Sequence, residues 1–172
     1  DRRRLEITVH EVSRLESILR QLLDAARPLT ITTGPVNIAS LVNGCLDLLE
    51  PKAAEKQLDM IQCHPRTLPV AELDAGKLEQ AVINILLNAI EASPDGGRIS
   101  VWTKATRSNE HRFLEVGVRD NGPGIAPDQR GHLFDPFYTS KARGTGLGLS
   151  NVKRIVEAHF GEIVVRSRRG RG

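Results

Sequence analysis

The stretch Asp120–Ser150, DNGPGIAPDQRGHLFDPFYTSKARGTGLGLS, decides how this chain is read. It opens with a carboxylate and two closely spaced glycines, Gly122 and Gly124. It closes with Gly144, Gly146 and Gly148 and a serine. Between them lie Phe134, Phe137 and Tyr138, three of the chain's six aromatics, followed by Lys141 and Arg143. Backbone without Cβ lets a ligand approach the main chain closely. Aromatic anchors in a stretch with little periodicity suggest a segment that packs in one state and moves in another, as lids do. A surface loop pinned by its own side chains is the plainer alternative.

Each end of the stretch has two readings. Asp120 ends an alternating apolar run, so it reads as a carboxylate at the end of a buried strand. It could accept a hydrogen bond from a flat ligand, or Asp-Asn-Gly-Pro-Gly could be turn chemistry alone. The run GTGLGLS opens a helical pattern, a geometry that aims free backbone amides and a positive dipole end at an anion. It lacks the lysine of a P-loop. No βαβ unit with a following acidic residue surrounds it, which argues against a dinucleotide fold.

Outward from this stretch, LGLSNVKRIVEAHFG predicts a helix and EIVVRS a strand. RRGRG at the end reads as the start of a hairpin turn. Upstream, RISVWTKAT and RFLEVGVRD alternate as two strands joined by a polar turn around Ser108–Glu110. AGKLEQAVINILLNAIEAS predicts a long helix capped by Asp74 and stopped before PDGG. Strands are expected at Val36–Ile38, Leu58–Cys63 and Thr67–Val70, with a helix capped by Ser40 after the first. Leu5, Val9, Val12, Leu15, Leu19, Leu22 and Leu23 make a helical stripe ended by Pro28. That stripe needs a partner helix. The pattern as a whole is α/β: a two-layer sandwich, a mixed sheet with helices on one face, preceded by one long helix.

Within the long helix Asn84 and Asn88 are four apart and share a face. Val82, Ile83, Ile85, Leu86 and Ile90 cover the other faces. Two amides in so apolar a helix need partners or cost about 1–3 kcal/mol each. They could bond to backbone, or line a cleft where an amide oxygen ligates Mg²⁺ beside phosphates.

Composition narrows the partners. The 172 residues are 40% hydrophobic and 26% charged, with a net charge of +3 and 3% aromatics. That gives an aliphatic core and few stacking platforms for bases. Arginines cluster at the two ends instead of forming one basic face, so nucleic acid is not an expected partner. Cys45 and Cys63 form no CxxC pair and read as reduced thiols of a cytosolic protein. No apolar run reaches about 18 residues and no signal peptide is visible. A cytoplasmic location without direct membrane contact is expected, any membrane anchor lying elsewhere in the parent protein.

Order and spacing together are more specific than any one motif. INILLNAIEAS resembles the N box, DNGPGI the first glycine box, FDPFYTSK the F box and GTGLGLS the second glycine box of the sensor histidine kinases. EVSRLESILRQLLDAARP is similar to the second helix of the hairpin that dimerises those kinases and carries their phosphoacceptor histidine. The resemblance covers nearly the whole chain. It divides it into residues 1–28, half of that hairpin, and residues 29–172, the catalytic ATP-binding domain with its last strand cut short. It implies the Bergerat ATP-binding fold, with ATP and Mg²⁺ as cofactors.

The resemblance also implies roles. Asp120 would take the adenine amino group, with Gly122 and Gly124 shaping that pocket. Asn88, helped by Asn84, would hold Mg²⁺. Lys141 would approach the phosphates from a lid that includes Phe137. Gly144, Thr145, Gly146, Leu147 and Gly148 would bind the phosphates at the helix start. Hydrolytic branches of the fold place a general-base glutamate where Asn84 stands, and an amide cannot take a proton from water. Transfer to another side chain needs mostly positioning and charge neutralisation. The expected activity is transfer of the ATP γ-phosphoryl to a histidine on an upstream helix, then to a response-regulator aspartate. Of the five histidines, His10, His64, His111, His132 and His159, none has the acceptor's sequence context. Only His10 precedes a glutamate, and it lacks the proline. The expected partners are a response-regulator receiver domain and the protein's own hairpin, as a homodimer at full length. These residues alone are expected to be monomeric or weakly dimeric. The alternative is a catalytically silent ATP-sensing interaction module of the same fold.

Overall fold

The computed structural model describes residues 28–108, 111–141 and 144–168, together with Arg4, Thr8, Val9, Val12, Leu19 and Leu23. The last six are each helical, and Val9, Val12, Leu19 and Leu23 are exposed. Most of the expected long helix, His10, Arg143 and residues 169–172 of the expected hairpin turn lie outside the described residues.

The described elements are β1 (Gly34–Val36), α1 (Ile38–Glu55), β2 (Asp59–Cys63), β3 (Ala71–Leu73), α2 (Ala75–Ala92), β4 (Arg98–Ser108), β5 (His111–Asp120), α3 (Pro127–Arg130) and α4 (Gly148–Ala158). The main sheet is mixed and ordered β2-β4-β5. β2 runs parallel to β4, with Met60 opposite Ile99, and β5 runs antiparallel, with Val101 opposite Val118. β1 and β3 form a separate antiparallel pair.

Period-two alternation explains which face of the sheet is covered. Ile99, Val101 and Thr103 of β4 are buried, while Lys104, on the opposite face of the same strand, is exposed. Val42, Cys45 and Leu46 of α1, and Val82, Leu86 and Ile90 of α2, pack with Ile99 and Val101 as one aliphatic core. Burial first, then the charge of Glu79, raises the Cys45 thiol to about 11, so it is inert. A second cluster, Ala81 with Val152 and Ile155, joins α2 to α4. The layers are thus a mixed sheet with helices on one face.

Three local expectations need correction. The first strand lies at Gly34–Val36, and α1 is capped by Asn37, whose Oδ1 accepts from Ser40 N at 3.1 Å. Asn is among the strongest N-cap residues, and Ser40 already sits in the first turn. Thr67–Val70 is not a strand, and Ala71–Leu73 takes that place opposite β1. Pro69 has no N–H to give a ladder. Finally, EIVVRS pairs with no strand among the described residues. It is held by side chains instead. Ile163 packs on the second cluster, and Ser167 Oγ accepts from Ile125 N at 2.8 Å.

Candidate nucleotide site

Helix α2 is the floor of the candidate site, and both its ends are fixed. At the N-terminus Asp74 Oδ1 accepts from Lys77 N at 3.0 Å, and Oδ2 accepts from Thr32 N at 2.8 Å. Those two hydrogen bonds, Thr32 before Lys77, hold the Asp74 carboxyl below its ordinary range. Asp74 N donates to His159 Nε2 at 3.0 Å, and the other ring nitrogen lies 2.8 Å from Ile155 O. This pairing requires the neutral tautomer protonated at Nδ1. It ties the end of α4 to the start of α2. At the C-terminus Lys56 Nζ donates to the carbonyls of Ile90, at 3.0 Å, and Ser93. A cation there compensates the last free carbonyls and the negative dipole end.

On this fixed helix Asn84 and Asn88 are both half-buried. Val82, Leu86 and Ile90 turn into the core, while Ile83 and Ile85 pack on the two different clusters. Asn84 faces the start of α4. A Cβ built on Gly148 would lie 3.9 Å from the Asn84 amide. Asn88 Oδ1 accepts from Lys141 Nζ at 2.7 Å. Lys141 also donates to Glu91 Oε2 at 2.6 Å, and Lys52 Nζ stands 3.6 Å from Glu91 Oε1. Burial pushes the Glu91 carboxyl up, but the hydrogen bond and charge of Lys141, then those of Lys52, outweigh it and hold it below the ordinary range.

Both glycine groups abut the same helix. Asp120 ends β5, and its Oδ1 accepts from Gly122 N at 2.9 Å, an Asx turn. One carboxylate oxygen is therefore committed to the turn. Gly122 sits under the end of α2, where a Cβ would fall 2.7 Å from Ala92 O. Nothing larger than glycine fits there. Gly124 follows with a left-handed backbone. Asn84 and Ala92 are eight residues apart on α2, about 12 Å along its axis.

The segment between the glycine groups closes on itself. Phe137 N donates to Gly146 O at 3.0 Å, and both residues have left-handed backbones. A Cβ on Gly146 would meet the Phe137 main chain, with its Cα at 2.6 Å. The Phe137 ring itself is exposed. Gly144 N donates to Lys141 O at 3.1 Å, and Thr139 Oγ1 fills the space beside Gly144. Leu147 is buried and is the N-cap of α4, with no side chain capping the helix. Its own N donates weakly to Thr145 Oγ1 at 3.4 Å. A helix start with no side-chain cap leaves amides for an anion.

A separate groove lies elsewhere. About 500 Å³ in volume, it is lined by Pro35, Asn37, Leu41, Leu48 and Glu79 and includes none of these residues. The convergence of two glycine turns, two amides and a lysine on α2 is the better guide to function, because it supplies polar groups that orient a ligand.

The sequence profile of the histidine kinase-, DNA gyrase B-, and HSP90-like ATPases matches residues 73–172. The chain belongs to this family. The match starts just before the Asp74 cap and takes in α2, both glycine groups and α4. Among curated relatives of this ATPase-family chain, sensor histidine kinase ZraS of Escherichia coli (strain K12) is 36% identical over 167 residues. That alignment covers 97% of this chain and 35% of the relative. The chain thus spans about a third of that protein's length. Full-length ShkA, solved in complex with AMPPNP, has a TM-score of 0.78 at 29% identity, over 94% of this chain and 34% of that one. Histidine kinase ThkA, solved with response regulator protein TrrA, has a TM-score of 0.74 at 27% identity, over 90% of this chain and 43% of that one. No described helix is long and apolar enough to cross a membrane.

Sequence reading missed Glu91, Lys52, Lys56 and the Asp74–His159 bond. Glu91 carries a legible signal: it follows Asn88 by three residues and so shares its face. Nothing in the order of residues places Lys52 or Lys56 beside the end of α2.

Proposed function

We propose that this chain is the ATP-binding catalytic part of a two-component sensor histidine kinase. In this reading residues 29–172 are the catalytic domain, and residues 1–28 belong to the hairpin through which the full-length protein dimerises. What carries the proposal is α2 itself: its two amides lie on a helix that both glycine groups touch, one at Ala92 and one at Asn84.

The Asp120 oxygen not used in the Asx turn would accept from the exocyclic amine of adenine. The amides at the start of α4 would bind phosphate oxygens, with Gly144, Thr145 and Gly146 giving the backbone room to approach. Asn88, with Asn84 beside it, fits a hard cation: its amide oxygen already accepts from an ammonium in this structure. Mg²⁺, when bound with the nucleotide, would neutralise charge on the phosphates. Lys141 would add a second positive charge to the phosphoryl group being transferred. Because Asn84 is no general base, water is poorly activated. The γ-phosphoryl group would pass to an imidazole nitrogen of an upstream histidine outside these 172 residues, with ADP leaving. A response-regulator aspartate would then accept it. The reading places these residues in the cytoplasm.

Calorimetric titration with a non-hydrolysable ATP analogue and Mg²⁺ tests this on the wild type and on Asp120→Ala. Binding by the wild type that falls at least about a hundredfold in the variant is expected, since the site is built to hydrogen-bond the base. Equal affinity removes the adenine role from Asp120. No binding by the wild type defeats the reading. Joined to an upstream hairpin helix with its histidine, the chain should move labelled phosphate onto that histidine. Intact ATP binding without transfer would favour a silent interaction module.

A further inference from the structure

The contact between Lys141 and α2 has no part in holding a nucleotide. Lys141 is 53 residues from Asn88 in sequence, yet its ammonium rests on Asn88 Oδ1 at 2.7 Å and Glu91 Oε2 at 2.6 Å. It thereby covers the amide oxygen assigned above to the cation, and its charge is engaged by Glu91. Glu91 is the group that makes this possible. It is the anion of the pair, it shares a face with Asn88, and its second oxygen has Lys52 at 3.6 Å.

We propose that Glu91 is a positioning residue: it holds Lys141 over Asn88 as an internal substitute for the metal cation, so that binding of Mg-nucleotide requires an exchange of cations. The inference rests on the nucleotide-binding reading above. On arrival of the nucleotide, Lys141 leaves Asn88 and Glu91 and turns to the phosphates. Asn88 is then free to face the metal. Glu91 keeps Lys52 as its counter-ion and is not left as a lone carboxylate beside the incoming phosphates. The exchange keeps the Asn88 amide oxygen paired with a cation: one ammonium leaves and one divalent cation comes. It also couples the segment between the glycine groups to the metal position through the Lys141 side chain. The latch is weak by construction. Both partners are half-exposed, and exposed ion pairs are worth little. A weak latch suits a segment that must open in every catalytic cycle.

The test is a double-mutant cycle on the whole chain. Affinity for Mg²⁺ plus a non-hydrolysable ATP analogue is measured for wild type, Glu91→Gln, Lys141→Ala and the double variant. If Glu91 acts by holding Lys141, Glu91→Gln tightens binding by about two- to fivefold. The same substitution in the Lys141→Ala background then changes affinity by less than about 1.5-fold, because the cycle isolates the pair. Equal gains in both backgrounds overturn the proposal, since Glu91 would then act only by its own charge on the phosphates. A wild type that binds no nucleotide sinks the parent reading and this inference together, a result distinct from additive binding.

A second measurement needs no nucleotide. Trace acylation of amines, read by mass spectrometry with Lys104 as the internal reference, reports how tightly Lys141 is held. Glu91→Gln is expected to raise the Lys141 labelling rate at least about threefold, in line with loss of an exposed ion pair. An unchanged rate overturns the latch. Should Glu91→Gln fail to fold, Glu91→Asp serves in both measurements. It keeps the charge but withdraws it by one methylene, so a smaller increase is expected, and no increase at all overturns the proposal.

Discussion

The α2–α4 side and the segment between the glycine groups are neighbours held by different forces. The first is apolar and closed at both ends. Leu86, Ile90 and Ile155 are fully buried, and the Asp74–His159 bond joins the start of one helix to the end of the other. The second is mostly exposed, and its attachments are polar: Phe137 to Gly146, and Lys141 to Asn88 and Glu91. Apolar burial is non-directional and strong in sum. A few half-exposed hydrogen bonds are directional and easily exchanged with water or ligand. The difference teaches a division of labour. The rigid floor presents Asn84, Asn88 and the α4 amides in fixed geometry, and the loosely tied segment can change partners without disturbing that floor.

The largest effect should come from damaging the floor. Leu86 is fully buried in the main core, so Leu86→Ala should cost about 3 kcal/mol of global stability, transfer and cavity terms together. Urea unfolding would show it as a lower midpoint with an unchanged slope. A loss below about 1 kcal/mol would mean that the core under α2 closes over the gap and that the floor is less rigid than its packing implies.

The matching change in the polar segment is Gly146→Ala. Its left-handed backbone and the Phe137 main chain against it leave no place for a methyl group. The segment can shift to relieve the clash, so the strain of about 1–2 kcal/mol should appear as local opening and not as global unfolding. Hydrogen exchange should speed up between the glycine groups and stay unchanged in α2. Nucleotide affinity should fall by about tenfold or more, the equivalent of 1.4 kcal/mol. Equal acceleration in α2 would erase the distinction between the two regions.

The side-chain cap at the start of α2 gives a smaller, pH-dependent effect. Asp74→Ala removes the α2 cap and the tie to Thr32, for a loss of about 1 kcal/mol at neutral pH. The Asp74 carboxyl titrates below its ordinary value in the folded protein. Its contribution is therefore fully present above the unfolded pKa and is lost as pH falls through the lower folded one. The stability difference between wild type and variant should hold at neutral pH and shrink only in acid, below the ordinary carboxylate range. A difference that vanishes near neutrality would mean that the Asp74 carboxylate is not the group behind it.

These regions also differ in how far sequence alone reveals them. The helix α2, its Asp74 cap and the paired strands β4 and β5 follow from period and caps, which are local. β3 was expected four residues too early because apolar alternation runs through Pro69, and the missing N–H decides against it. EIVVRS alternates like a strand but finds no ladder among the described residues. The glycines were read as room for a ligand, and what the structure displays is close packing within the chain, Gly122 against Ala92 and Gly146 against Phe137. The Lys141 contacts were illegible because they join residues 53 and 50 apart through flexible side chains. No periodicity encodes where an ammonium comes to rest.

The smallest expected effect concerns the turn that leaves α4. Phe160 has a left-handed backbone, φ 56°, and its ring is 94% exposed. For a bulky residue that conformation costs about 1–2 kcal/mol, and the ring gains almost nothing from burial in return. Glycine adopts it freely, although it adds about 0.4–1 kcal/mol of conformational entropy to the unfolded chain. Phe160→Gly should therefore stabilise the protein by about 0.5 kcal/mol, the difference of the two terms. In a domain of this size that raises the thermal midpoint by about 1–2 °C. The gain must come without any change in nucleotide affinity, because the turn lies at the far end of α4 from the glycine group. A loss of stability would mean that the exposed ring has a partner outside the described residues, and the end of α4 would then belong to an interface. A change in affinity would mean that the His159 tie transmits strain along α4 to the phosphate end, and the fixed floor would be the mobile part after all.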